Sequence, residues 1–466
     1  MKLQKVNLIM KNKAGALDRV IGQIRREGWN IKSLQVEETS NPEVSRLEMY
    51  IEGTYTKLAQ ILERLSRIDC VQRASMIHDG KEIVKENIPV VIHDIKDNKE
   101  IIIPVPEKDA GIYRILTINP GSTSTKFAVY DDHKLVLIHL ISHDRKTLDE
   151  CGGVLEQKEI RLKYILEILE KYNVPLDSLD AIAGRGGLLH PIESGVYRIN
   201  QQMLMDLNAA VASIHASALG AIIAKELADR IGIESYVVNP IVVDELDPSA
   251  RITGMPGIER TSIFHALNQK EIARRFAKDN KIPYENLRLI VAHLGGGISV
   301  GAHRYGRVID VNDALSGEGP FTPERTGSIP AVPLIHMCFS GEYTEQELID
   351  RVTRNGGMQS YIGTNDLRIA QKMINEGDEF ATLVIDSMAY QVAKEIGSMA
   401  AVLEGKADAI ILTGGLAHSS RFTGAIKQRV DALAPVHVYP GEDEMLALMN
   451  GVLRVLNGEE KPCEYS

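Results

Sequence analysis

Two stretches of this chain share one build. ILTINPGSTSTKFAVYDD (115–132) and LRLIVAHLGGGISVGAHRYGRVIDV (287–311) each run apolar, open into a turn of glycine and small residues, and become apolar again at once. Two apolar runs around one such turn read as a β-hairpin. The turns, at Gly121 and Gly295, lie about 175 residues apart. A third glycine turn follows the apolar run in ADAIILTGGLAHSS (407–420). A hairpin that recurs at that distance predicts duplicated domains facing each other, and this restricts the fold more than any other feature of the chain.

The first turn, PGSTSTK, offers backbone N–H groups, hydroxyls and the charge of Lys126, which is the chemistry of a phosphate loop. It is not a Walker A loop, which needs a glycine directly before the lysine and a helix after it. Here Thr125 precedes Lys126 and a strand follows. Taken alone, a Ser/Thr-rich turn is most often only a turn. Its repetition, as Gly295-Gly296-Gly297, is what argues for a ligand.

The region 112–459 alternates strand patterns with helical ones, such as RLKYILEILEKYN (161–173) and the long stretch 203–232, so an α/β architecture is expected. With 466 residues, two or three domains are expected. Residues 1–79 read as one βαββαβ unit, the ferredoxin-like arrangement, with helices over 15–28 and 56–68. Residues 80–111, mixed and proline-bearing, read as a linker with room for one or two strands. A net charge of -10 argues against a nucleic-acid-binding surface. No run of 18 apolar residues predicts a transmembrane helix, and the N-terminus does not read as a signal peptide. The four cysteines show no CxxC spacing, which fits a reducing cytoplasm and neither a disulfide framework nor a zinc site.

KNKAGALDRVIGQIRREGWNIKSL resembles an ACT domain, especially that of acetolactate synthase regulatory subunits. Its loop from Asn12 to Ala16 leads through Gly15 into a helix whose free N–H groups suit a carboxylate. The resemblance implies an amino-acid effector at Asn12, Gly15 and Ala16. A plain dimerisation module is the alternative.

Two hairpins around a nucleotide's phosphates, with a third turn under the adenosine, is the layout of the actin, Hsp70 and sugar-kinase (ribonuclease H-like) superfamily. Within it, INPGSTSTK, GRGGLLHPIESG, VVDELDP, HLGGGISV, GPFTPERTGSIP and LTGGLAHS resemble, in order, the acetate/butyrate kinase family. The GSTSTK and HLGGG forms favour its butyrate branch. The resemblance implies phosphoryl transfer between ATP and a short-chain carboxylate, with Mg²⁺, to give ADP and an acyl phosphate. A carboxylic acid of pKa about 4–5 is already ionised at pH 7, so the nucleophile needs charge neutralisation rather than a base.

By the same resemblance, Asn119, Ser122, Ser124 and Lys126 hold phosphates, and Asn119 also serves the metal. Arg185 and Arg325 take the carboxylate or the transferring phosphoryl group, for which a planar guanidinium fork is suited. Asp244 orients metal or substrate, and Glu444 is associated with the metal. His265 and His293 stand near the transferring group, with His215 a further candidate. The run HALNQ after Phe264 departs from the acetate kinase pattern and leaves the role of His265 open. Gly295, Gly296, Gly297, Gly414 and Gly415 permit close approach of the nucleotide. The chain length and branching of the acid stay open between butyrate, isobutyrate, acetate, propionate and other branched acids. A non-catalytic ligand sensor on a kinase scaffold is the rival from another class. ACT pairing and the habit of acyl kinases both imply a homodimer or larger homo-oligomer.

Overall fold

The computed structural model describes residues 2–12, 16–26, 31–38, 44–53, 62, 65, 68, 71–78, 81–86, 91–92, 105, 107–209 and 216–466. The chain divides into two units: Met1–Ile112 with Lys126–Ser142 and Glu167–Pro175, and Tyr113–Thr125 with His143–Leu166 and Leu176–Ser466.

In the first unit, β1 (Lys2–Lys11) is the central strand of a sheet ordered β2 (Ile31–Glu38), β3 (Val44–Gly53), β1, β4 (Val71–His78), β5 (Lys81–Glu86). Val6, Leu8 and Met10 alternate along β1 and are all buried, as a strand with one covered face requires. Leu8 pairs with Leu47 of β3 and with Ala74 of β4, both antiparallel. The helix Ala16–Arg26 sets Ala16, Val20 and Ile24, four residues apart, into the same core. Leu62 and Leu65 are helical and buried there too; the rest of the helix read at 56–68, apart from Ile68, lies outside the described residues. The order of these strands is the ferredoxin-like one. A short β6 (Val91–Ile92) follows β5.

The second unit holds two sheets. One contains β7 (Arg114–Pro120), β10 (Ala181–Gly184) and β12 (Glu234–Val238) in parallel, with Ile118 level with Gly184 and Gly184 with Val237. β11 (Val196–Arg198) lies antiparallel to β12, and β18 (Cys463–Glu464) parallel to β11. After β7 the chain turns and enters β8 (Ser124–Asp131) and β9 (Lys134–Ser142), whose bodies belong to the first unit; there β9 pairs in parallel with β6. The other sheet is ordered β15 (Arg307–Val311), β14 (Ile298–Arg304), β13 (Arg288–Leu294), β16 (Ala409–Gly414), β17 (Val436–Pro440). β13 and β14 form a hairpin, and β13, β16 and β17 are parallel.

The parallel trio β7, β10, β12 thus repeats as β13, β16, β17, and each trio begins with the strand that leads into one of the two glycine turns. This is the duplication the two hairpins predicted, in the actin-like form. Crevices at the carboxyl ends of such strands are where α/β sheets bind ligands.

Helix Glu444–Leu456 packs over β7, β10 and β12 of one lobe and against helix Ala266–Asn280 of the other. The lobes are also pinned by a buried cation. Lys270 Nζ lies 2.6 Å from Glu245 Oε2, 2.9 Å from Ser194 Oγ and 2.8 Å from the Gly306 carbonyl. Among the described residues, no helix is long and apolar enough to cross a membrane, and Cys151, Cys338 and Cys463 are free thiols.

Candidate active site

The first turn closes as the second does. Gly121 N–H donates to the Ser124 carbonyl at 2.8 Å, and Gly295 N–H to the Gly297 carbonyl at 3.0 Å. Ser122 is exposed and Ser124 half-buried; Lys126, on β8 in the first unit, is exposed.

Asn119 is the penultimate residue of β7, just before the turn. Arg185 follows β10, and its N–H donates to the Ile118 carbonyl at 2.9 Å, so the β7–β10 ladder carries Arg185 to the side of Asn119. Both side chains meet Glu444, the first residue of its helix: Asn119 Nδ2 donates to Oε2 and Arg185 Nη1 to Oε1. Burial pushes the Glu444 carboxyl up, but the guanidinium of Arg185 and the Asn119 amide outweigh it and hold Glu444 below the usual carboxylate range. Glu444 is therefore ionised at neutral pH.

At the second turn, Gly297 leaves room for two site residues. A Cβ there would stand 2.1 Å from Arg325 Nη1 and 3.2 Å from His265 Cε1. Arg325 is held by the carbonyls of Ala314 (2.8 Å) and Thr353 (3.3 Å) and forms no ion pair with a carboxylate among the described residues. Thr322 sets its segment: the hydroxyl accepts from the N–H of Glu324 and Arg325 and donates to the Gly296 carbonyl at 2.7 Å.

The rings of His265 and His293 lie against each other, and HALNQ, the run that departs from the acetate kinase pattern, supports both. Asn268 Nδ2 donates to the Glu442 carbonyl (2.8 Å), which leaves Asn268 Oδ1 to accept from His293 Nδ1 (2.8 Å). His293 therefore carries its proton on Nδ1, and Nε2, 3.9 Å from Glu442 Oε1, is an acceptor. Gln269 Nε2 donates to the carbonyl and the hydroxyl of Ser299 (3.0 and 2.8 Å), so its Oε1 accepts from His303 Nε2 (2.9 Å), whose Nδ1 accepts from Tyr284 (2.7 Å). With its oxygen accepting from Gln269 (2.8 Å) and from the His265 backbone N–H (3.5 Å), the Ser299 hydroxyl donates to His265 Nδ1 at 2.9 Å. The proton of neutral His265 is then on Nε2, where it can be donated to a ligand. Ser299, Asn268, Gln269, His303 and Tyr284 carried no signal in the sequence beyond their place in apolar strands and helices.

Gly414 ends β16 with φ at +91°, and a Cβ there would stand 2.4 Å from the Leu294 carbonyl oxygen. Only glycine lets this third turn rest on the end of β13. Gly415 begins the short helical turn Gly415–His418. Asp244 has a partner of its own, since both its carboxylate oxygens receive Arg251 at 2.7 Å. Among the described residues, its carboxylate forms no hydrogen bond or ion pair with Arg185, Arg325 or a histidine, although Val243 beside it accepts the Ser262 hydroxyl three residues before His265. His215 and Gly15 lie outside the described residues; Asn12 is exposed and Ala16 buried.

The cluster thus combines two arginines, one of them without a carboxylate, an ionised glutamate and two neutral histidines of which one can donate. Among the described residues no group of three or more acidic, histidine or cysteine side chains could cage a metal. Glu444 and the Asn119 amide nonetheless fit Mg²⁺, which takes one or two carboxylates and completes its shell with water and substrate phosphates.

Comparison with known proteins gives the following. The model of the acetokinase family matches residues 254–439, and that of the AHAS small subunit-like ACT domain matches residues 6–73. Butyrate kinase 2 of Clostridium acetobutylicum is 50% identical over 353 residues, which cover 76% of this chain and 99% of that protein. The crystal structure of Porphyromonas gingivalis acetate kinase aligns at a TM-score of 0.60 and 17% identity, over 73% of this chain and 99% of the other. That of Entamoeba histolytica acetate kinase aligns at 0.61 and 18% identity, over 74% and 100%.

Proposed function

Because the chain belongs to the acetokinase family, we propose that it is an ATP-dependent kinase for a four-carbon carboxylate, butyrate or isobutyrate, forming the acyl phosphate reversibly. Phosphorylation of a short-chain carboxylate is the activity of the family. The four-carbon substrate is supported by the GSTSTK and HLGGG forms and by the half-identical relative named as a butyrate kinase.

One observation carries the reading: Arg185 already grips a carboxylate, that of Glu444, in the site where Arg325 has none. A carboxylate nucleophile is charged before it reacts and must approach a polyphosphate, so the work of the site is neutralisation and alignment. Arg185 and Arg325 supply positive charge to acceptor and phosphoryl group. His265, neutral with its proton on Nε2, suits donation to a phosphoryl oxygen. Neither histidine is needed as a base. Asn119 and Glu444 are the residues to hold Mg²⁺, which supplies charge neutralisation on the phosphates when bound. In this reading the turn 121–124 takes the polyphosphate, with Lys126 implied by its motif alone, and Gly414 and Gly415 give the nucleoside room.

The N-terminal unit is the regulatory part in this reading, with a branched-chain amino acid as effector, supported by the likeness of residues 6–73 to the AHAS small subunit. A homo-oligomer is supported by helix Ala331–Cys338, which buries none of its residues, and by Phe339 after it, 87% exposed.

The test is hydroxamate trapping of acyl phosphate with ATP, Mg²⁺ and acids from acetate to isovalerate. Product greatest with butyrate or isobutyrate is expected. Absence of product with every acid, from folded protein that binds ATP, overturns the reading. Calorimetric titration with valine, leucine and isoleucine tests the effector, and no heat from any of them removes it.

A further inference from the structure

Arg161 opens the helical pattern 161–173, where an arginine is expected to face water. It is fully buried instead. Its guanidinium reaches the inner side of the first turn: Nη1 donates to the Ser124 carbonyl (2.8 Å) and Thr125 Oγ1 (2.9 Å), and Nη2 to the Ser122 carbonyl (3.1 Å) and Gln157 Oε1 (2.8 Å). All four acceptors are neutral, and among the described residues no carboxylate forms an ion pair with it. Its Nε, also buried, has no partner among the described residues. A buried charge left on neutral oxygens is costly, and a counter-charge arriving from outside would offset that cost.

The turn shows where that counter-charge belongs. The Ser122 carbonyl is taken by Arg161, the Thr123 carbonyl by the His143 N–H at 2.9 Å, and the Ser124 carbonyl by Gly121 N–H and Arg161 together. Every carbonyl from 122 to 124 is thus drawn to the protein side. In a trans peptide the N–H points opposite to the C=O, and the described chain has no cis bond. The N–H of Thr123 therefore points away from Arg161, on the side where Ser122 and Thr123 are exposed. A turn whose carbonyls from 122 to 124 are engaged behind it and whose Thr123 N–H faces the exposed side offers an anion a donor. His143 completes the support: its Nε2 is hydrogen-bonded to Thr125 Oγ1 at 2.8 Å, on the hydroxyl that receives Arg161. Burial and the adjacent guanidinium lower His143 to about 4, so the ring is neutral at working pH.

We propose that Arg161 is a positioning residue for the nucleotide: it fixes the first turn with the Thr123 N–H outward and supplies, from behind, the positive charge that the bound polyphosphate completes. The proposal rests on the reading of this turn as the phosphate loop of the kinase.

Wild type, Arg161→Gln and Arg161→Lys are compared by circular dichroism, by calorimetric MgATP binding at several salt concentrations, and by steady-state kinetics. Arg161→Gln is expected to weaken MgATP by at least about 10-fold and to flatten its salt dependence, with the carboxylate KM within twofold of wild type. Arg161→Lys is expected to recover the salt dependence but little of the affinity, since an ammonium cannot bridge two carbonyls in one plane. A folded Arg161→Gln protein with unchanged MgATP affinity overturns the proposal. So does an equal rise in both KM values, the mark of general loosening. Should Arg161→Gln not fold, Thr125→Val serves: a smaller loss of MgATP affinity supports the proposal and none overturns it. Wild-type protein that binds ATP but phosphorylates no acid overturns the kinase reading alone, since the binding comparison needs no turnover.

Discussion

The rings of His265 and His293 stack with centroids 3.8 Å apart and planes 11° from parallel. Two imidazolium ions repel at that distance, and both rings are neutral. Burial lowers His293 to about 4, with Glu444 opposing and Arg185 adding to the fall. Burial also takes His265 well below its ordinary value, assisted by His293, Arg185 and Arg325.

This neutrality makes stability depend on pH. In the unfolded chain these groups bind protons near pH 6.5; in the folded chain His293 binds one only near 4, and His265 only well below its ordinary value. Stability they contribute is therefore complete above about 6.5 and is lost as pH falls toward 4. The denaturant midpoint is expected to be lower at pH 5 than at pH 7, and His293→Gln to shrink that difference. Equal midpoints at both pH values in the wild type would contradict the assignment of neutral rings.

Ser299 transmits the tautomer choice to His265. Ser299→Ala removes the donor that fixes Nδ1 and so frees the ring to carry its proton on the wrong nitrogen. The expected result is a kcat lower by roughly 10- to 100-fold, less than the loss for deleting a transition-state donor outright, with the KM for ATP unchanged. Gln269→Leu, which frees Ser299 to rotate, should act in the same direction. Steady-state kinetics at saturating acid separate the two parameters, and a change confined to KM would refute the network's role.

Glu444→Gln removes the charge that Arg185 and Asn119 share. The Mg²⁺ concentration for half-maximal rate is expected to rise at least about 10-fold. The KM for the acid should fall in the same variant, because Arg185 no longer has an ionised partner to leave. A magnesium titration of the rate decides the first point, and an unaltered midpoint would place the metal elsewhere.

Lys270 is fully buried against Glu245, and burial pulls its ammonium down to about 8 in spite of that carboxylate. Lys270→Met leaves Glu245 ionised and uncompensated between the lobes. A loss of about 3–5 kcal/mol in unfolding free energy is expected, with much of it restored in the double variant Lys270→Met/Glu245→Gln. Urea denaturation of all three proteins measures it. Additive losses in the double variant would show that the pair is not coupled.

Phe339 tests the assembly. Phe339→Asp places a charge on the uncovered helix end, and sedimentation of the variant is expected to show a smaller particle than the wild type. The same particle size in both would locate the contact on another face.

Much of this arrangement was legible in the chain because it is written in local chemistry. Apolar runs broken by Gly121 and by Gly295 to Gly297 announce hairpins wherever they occur, and Val6, Leu8 and Met10 alternate as a half-covered strand must. Asn119, Arg185, His265, His293 and Glu444 stood out through their motifs, and the fold brings together residues as far apart as 119 and 444. What stayed hidden depends on contacts across the fold. Arg161 reads as the solvent face of an amphipathic helix until the turn 122–125 is laid on it. Asn268, Gln269 and Ser299 look like ordinary polar residues until the strand β14 and the helix after His265 are seen together. Asp244 showed the reverse: its motif pointed to the site, while Arg251, seven residues on, holds both its oxygens.

The pairing of Arg185 with Glu444 bears on waste as well as on binding. Arg185 is occupied by a carboxylate of the protein itself, and in the proposed reading that carboxylate stands in the place of the acid. An anionic acid brings the charge needed to take the arginine over, whereas a water molecule brings none. If Arg185 is the acceptor's arginine, as proposed, the same contact that makes small acids compete for their seat would withhold it from hydrolysis and spare ATP until an acceptor has arrived.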